Sequence, residues 1–134
     1  MPGLHLIADL HDCPSRNEMQ DRDALATLCR REALAAGLTV VGELFHPFVD
    51  AGGAPAGVTG VLLLAESHVA VHTWPERGLV TLDVYVCNVR DDRSEAAERL
   101  LAALRETFSP ARADVRRVLR DTARGTTGDA VGVR

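Results

Sequence analysis

Between residues 66 and 87 the chain concentrates groups that can do chemistry: Glu66, Ser67, His68, His72, Glu76, Asp83 and Cys87. Three chemistries are open to them. The first is metal binding, because His68 and His72 stand four apart. On a helix that spacing shares one ion, but on a strand it separates the side chains by roughly 13 Å. The alternation of Val69, Val71 and Thr73 with the histidines reads as a strand, and no Cys-x-x-Cys occurs, so no metal site is expected. The second is a Ser/His/Asp hydrolase built from Ser67, His72 and Asp83. No Gly-x-Ser-x-Gly elbow and no glycine-rich oxyanion loop accompanies the serine. The third turns the serine on its own backbone. The Ser67 hydroxyl attacks the Glu66 carbonyl and moves the acyl group from nitrogen to oxygen. A base then takes the serine α-proton, the ester is eliminated, and loss of ammonia leaves a pyruvoyl group. That route needs a strained turn, a base and an oxyanion donor, and Ser67, His72 and Thr59 can supply these roles. Residue types alone do not establish this third route.

The elements that must position these groups follow from hydrophobic periodicity. Residues 68–74 alternate, with His68, Ala70, His72 and Trp74 on one face; Gly78 breaks the run. In residues 79–87, Thr81, Asp83, Tyr85 and Cys87 share one face and Val80, Leu82, Val84 and Val86 the other. Residues 3–13 form a further strand, with Leu4, Leu6, Ala8 and Leu10 opposite His5, Ile7 and Asp9. Residues 21–36 carry Leu25, Leu28, Cys29, Ala33 and Ala36 at helical spacing, with Asp21 or Asp23 at the start and Gly37 as the stop. Residues 38–48 are β-rich and 49–57, with three glycines and a proline, read as a flexible loop. Residues 58–66 are apolar on both faces, which predicts a strand covered on both sides. Asp92 with Glu95 resembles a capping box before a helix whose buried face is Ala97, Leu100, Leu101, Leu104 and Phe108. The helix ends at Ser109-Pro110, residues 114–121 read as a last strand, and 122–134 as a flexible C-terminal tail.

The order β-α-β-β-β-β-α-β predicts an α/β (α+β) sandwich, a mainly antiparallel sheet with two helices on one face. The opposite face, with the histidines and Trp74, needs a cover, and a second protomer supplies one. At 134 residues one domain is expected, spanning 1–121. The net charge of -4, with no basic cluster, argues against nucleic acid and membrane surfaces as partners. The longest apolar run, residues 61–65, is too short to span a bilayer, and Asp9 and Asp12 interrupt any leader-like pattern. Cys13, Cys29 and Cys87 are unpaired in spacing, so no disulfide framework is expected and the location is read as cytoplasmic.

The string Glu66-Ser67-His68-x-x-x-His72-Thr73-Trp74-Pro75-Glu76, followed by Asp83-Val84-Tyr85-x-Cys87, resembles the bacterial and archaeal S-adenosylmethionine decarboxylase proenzymes. His5-Leu6-x-x-Asp9 with Cys13, Phe45-His46-x-Phe48 and Gly57-Val58-Thr59-Gly60 extend the likeness over roughly residues 3–120. The resemblance implies self-cleavage between Glu66 and Ser67 into a β chain, 1–66, and an α chain, 67–134. Ser67 becomes the pyruvoyl cofactor that holds the substrate amine as a Schiff base, an electron sink for the decarboxylation. His72 is implied as the processing base, Cys87 as the acid that protonates the substrate carbon, and Thr59 as processing support; His68 beside the cut is a further candidate. Phe48 is implied to stack on adenine and Glu76 to hold the ribose. The family's active sites lie at a homodimer interface, and its product is the aminopropyl donor for spermidine.

Three departures stand out. Thr59 occupies a position where the family carries serine, and Asn88 follows Cys87 where glycine is usual. The stretch 50–55 lengthens the loop beside the implied adenine pocket. An acidic residue there, Asp50, could pair with a cationic side chain, so pyruvoyl-dependent decarboxylation of arginine or ornithine is the alternative substrate reading. An uncleaved binding or regulatory relative is the non-enzymatic one. Trp74-Pro75 reads as packing and a strand end.

Overall fold

The ten residues Pro2–His11 (β1) set the plan in this computed structural model, which describes residues 2–121. Leu4, Leu6, Ala8 and Leu10 are fully buried, while His5, Ile7, Asp9 and His11 face the other way. The two-residue period sorts the strand into a core face and an open face. The same sorting recurs in β3 (Pro55–Leu64), β4 (Ser67–Trp74) and β5 (Leu79–Cys87), whereas at the sheet edges β2 (Val40–Val49) buries Phe45 alone and β6 (Arg112–Asp121) buries no residue. The six strands form one sheet in the order β2-β3-β4-β5-β1-β6, with every pairing antiparallel.

Helices α1 (Arg22–Ala35) and α2 (Ser94–Phe108) cover the core face. Asp21 caps α1 by accepting from the N–H groups of Asp23 and Ala24, which satisfies donors the first turn leaves free. Leu25, Leu28, Cys29 and Ala33 point inward, as their spacing predicts. Burial pushes the Cys29 thiol up to about 12, so it is a core hydrophobe and not a nucleophile. The two-layer sandwich with both helices on one face is as the sequence predicts.

Three local expectations need correction. The stretch read as a flexible loop is a hydrogen-bonded hairpin turn, with β3 already running at Pro55. Asp50 Oδ1 accepts from the N–H groups of Gly52 and Ala54, each at 2.9 Å, and Asp50 N–H bonds the Ala54 carbonyl. The capping box does not close: Asp92 accepts from Ser94 N–H, but Glu95 turns away to pair with Arg99. Within one protomer β3 is covered on one side only, with Leu63 half exposed on the open face. The expected tail at 122–134 lies outside the described residues.

Candidate active site

Strands β3 and β4 meet at a tight turn where Leu64 pairs with Ser67. Glu66, inside that turn, has φ 59°. This left-handed conformation puts Cβ against the following carbonyl and strains any residue but glycine. The bond that follows it is the Glu66–Ser67 peptide. The Ser67 hydroxyl accepts a hydrogen bond from the backbone N–H of Cys87 at 3.3 Å, which ties the start of β4 to the end of β5. Glu66, Ser67 and Cys87 therefore form one cluster.

His68 adjoins it, packed 5.6 Å from the Tyr85 ring and 6.4 Å from the ring of His5. Burial, reinforced by neighbouring His5, lowers the His68 pKa and keeps the imidazole neutral. Asp83 pairs with His5 Nε2 at 3.1 Å, and the Arg120 guanidinium lies 4.7 Å over the Tyr85 ring.

A second cluster sits at the other end of β4. Phe48, Gly57, Thr59, His72, Thr73, Trp74 and Glu76 line a cleft of about 330 Å³. Thr59 Oγ1 and His72 Nδ1 are hydrogen-bonded at 3.0 Å, so the threonine keeps the contact a hydroxyl at this position can make. Trp74, read from the sequence as packing, instead presents its ring to the cleft, 5.9 Å from the His72 ring. Just beyond it the chain makes a single 3-10 turn, Pro75–Arg77, which ends at Gly78 with φ 59° and carries Glu76 to the rim.

The two clusters do not meet within one chain. Ser67 and His72 are five residues apart on a single extended strand, which separates them by roughly 16 Å. One protomer thus holds a strained serine turn with a thiol, and, at a distance, a histidine–threonine pair beside an aromatic cleft.

Other features fall outside this chemistry. Asp50 lines a neighbouring pocket with Glu76, but one of its oxygens is spent on its own turn. Asn88 accepts from Arg93 N–H and donates to Ser94, closing the connection into α2. An open groove of about 510 Å³ between α2 and β6 contains none of the candidate residues. Among the described residues no cluster of three or more His, Cys, Asp or Glu could hold a metal ion. No helix among them is long and apolar enough to cross a membrane.

Comparison with known proteins places this geometry. The profile of the family described as S-adenosylmethionine decarboxylase matches residues 4–121. An S-adenosylmethionine decarboxylase proenzyme of Synechococcus sp. is 36% identical over 118 residues, covering 80% of this chain and 88% of that protein. Another, from Parasynechococcus marenigrum, is 38% identical over 123 residues, covering 91% of this chain and 88% of that protein. The crystal structure of the adenosylmethionine decarboxylase from Aquifex aeolicus superimposes with a TM-score of 0.77 at 30% identity, over 93% of this chain and 95% of that one.

Proposed function

The chain belongs to the S-adenosylmethionine decarboxylase family, and from that premise we propose that it is a proenzyme which cuts itself between Glu66 and Ser67 and then decarboxylates S-adenosylmethionine. It is a carboxy-lyase. The observation that carries the maturation step is the strained Glu66 turn with the Ser67 hydroxyl held at the end of β5. Attack of Ser67 Oγ on the Glu66 carbonyl forms a C–O bond as the C–N bond breaks, and the turn relaxes. Loss of the Ser67 α-proton to a base expels residues 1–66 as a carboxylate. Hydrolysis of the resulting dehydroalanine end releases ammonia and leaves the pyruvoyl group.

The residues around Ser67 fit such a group, since the serine is half-buried on a strand end with a thiol-bearing residue beside it. When formed, it supplies an electron sink for the charge left as carbon dioxide departs. The chain's own residues do the rest. Cys87 delivers the proton to the substrate carbon. Phe48 and Trp74, both partly exposed at the cleft, bracket a flat purine, and the Glu76 carboxylate accepts from the ribose hydroxyls. The amino-acid alternative is disfavoured by the relatives, which are S-adenosylmethionine decarboxylase proenzymes.

His72 acts as processing base only in trans. The open face exposes Leu44, Leu63, Phe48, Trp74 and Val118, apolar surface that a second copy would bury. A two-fold axis across this face would set Thr59 and His72 of one copy against Ser67 and Cys87 of its partner. The working enzyme is therefore a homodimer with two composite sites. Its three free cysteines, one of them needed as a thiol, suit the reducing cytoplasm.

Complementation tests the whole reading. The intact 14.4 kDa chain should persist in Ser67→Ala alone and in His72→Ala alone. Co-expressed, the two should yield cleavage of the His72→Ala chain only, with activity on S-adenosylmethionine. Cleavage of His72→Ala by itself would refute the composite site. A fully cleaved wild type without that activity would refute the substrate.

A further inference from the structure

Thr73 lines the cleft between His72 and Trp74, but its side chain is turned to the core. It is the buried polar residue among the described ones, at 4% exposure, on the same face as Val69 and Val71. Its hydroxyl proton goes to the Met19 carbonyl at 2.7 Å, and its oxygen accepts the Val58 N–H at 2.9 Å. Both hydrogen bonds are buried, and neither partner has water to turn to.

Their placement is informative. The β3–β4 pairing runs from Leu64↔Ser67 to Thr59↔His72 and stops there. One residue further, Val58 N–H takes the Thr73 hydroxyl where a paired strand would offer a carbonyl. At Gly57 the two backbones press so close that a Cβ would stand 2.0 Å from the Thr73 carbonyl oxygen. The hydroxyl thus replaces the missing ladder at the point where the strands close the floor of the cleft. Its other bond reaches Met19, fully buried at the end of the 3-10 turn Asn17–Met19 that leads into α1. The segment carrying Trp74 and Glu76 is pinned at two points: by Thr73 before it, and after it by Gly78, whose carbonyl accepts Cys13 N–H at 2.8 Å.

We propose that Thr73 is a positioning residue for the nucleoside half of the substrate: its bridge between Val58 and Met19 sets the Trp74–Glu76 wall at the distance from Phe48 and Thr59 that a purine nucleoside needs. The inference rests on the S-adenosylmethionine reading. A threonine that merely filled the core would be replaced by valine without functional consequence, since the two have nearly the same shape. A bridging hydroxyl would not, because valine leaves a buried N–H and a buried carbonyl unpaired.

The test is a steady-state comparison of wild type with Thr73→Val, Thr73→Ser and Thr73→Ala, using S-adenosylmethionine. All three should cleave to completion, because the Thr59↔His72 pair and its side-chain hydrogen bond belong to the ladder that these substitutions leave in place. In Val and Ala the KM should rise about tenfold with kcat within about twofold, the pattern of lost uniform binding. Ser, which restores the hydroxyl, should keep the wild-type KM. A wild-type KM in Thr73→Val, or a KM in Ser raised as far as in Ala, would overturn the role. Should the valine variant not fold, Ser and Ala, which differ only by the hydroxyl, decide alone. A wild type that cleaves but ignores S-adenosylmethionine removes the substrate reading and this inference together; a wild type that turns it over while Thr73→Val matches it removes the inference only.

Discussion

Replacing Glu66 by glycine should slow self-cleavage. At φ 59° the glutamate sits in a region that costs an L-residue about 1–2 kcal/mol, and glycine adopts it at little cost. If the turn relaxes as the Glu66–Ser67 amide opens, that energy is available to the precursor and absent in Glu66→Gly. Since about 1.4 kcal/mol is a factor of ten in rate, cleavage should slow roughly 5- to 30-fold. The substitution also removes a carboxylate 3.9 Å from Arg90, but both side chains are well exposed and the pair contributes little. Glu66→Gln separates the two effects, since it keeps the Cβ and the strain while discarding the charge. The assay is the fraction cleaved against time by denaturing mass measurement, starting from freshly translated precursor. Glu66→Gln should follow wild type within about twofold. Glycine at the wild-type rate, or glutamine as slow as glycine, would show that strain is not what drives the bond open.

Two further outcomes follow from the geometry. Cys87→Ala should cleave completely, because the hydrogen bond to Ser67 comes from the Cys87 backbone N–H. Its release of carbon dioxide from S-adenosylmethionine should fall by about 100-fold or more, as expected for a lost general acid; full activity would reassign the proton donor. Gly57→Ala should force β3 away from the Thr73 carbonyl, since the added Cβ would stand 2.0 Å from that oxygen. A destabilisation of about 1–3 kcal/mol and a raised KM are expected by thermal melting and steady-state kinetics. Gly52→Ala, whose Cβ would meet its nearest neighbour at an ordinary 3.5 Å, is the unaffected control.

Most of the sandwich is legible in the chain because the core obeys period two and period 3.6 without exception at Leu4–Leu10, Val80–Val86 and Leu100–Phe108. The reactive residues are legible as a string. Their grouping is not, because spacing along a strand disperses what a motif writes side by side. The arithmetic that keeps His68 and His72 from sharing a metal also keeps His72 from reaching Ser67, and only paired strands show which residue each meets instead. Glycine content in 49–57 suggested mobility; the side chain of Asp50 supplies the hydrogen bonds that fix it. Thr73 left a faint signal, a hydroxyl on the stripe of Val69 and Val71, but its partners Val58 and Met19 come from elsewhere in the chain.

The separation of the two half-sites has a kinetic consequence. If a single protomer held both Ser67 and His72 within reach, maturation would be a first-order event, indifferent to concentration. In the proposed homodimer, with the halves roughly 16 Å apart on β4, the serine would wait for a partner's base, and one isologous contact would complete both sites at once. Maturation then reports assembly: an unpaired chain stays uncut and carries no electrophilic pyruvoyl group to react with cellular amines. The cleavage rate of freshly made precursor should therefore fall on dilution below the dimer dissociation constant and level off above it. Adding the Ser67→Ala chain, which cannot cut itself but offers His72, should restore the rate at high dilution. A rate that stays constant across the whole dilution series would mean that the base reaches Ser67 within its own chain, and the two-fold arrangement of the open faces would have to be abandoned.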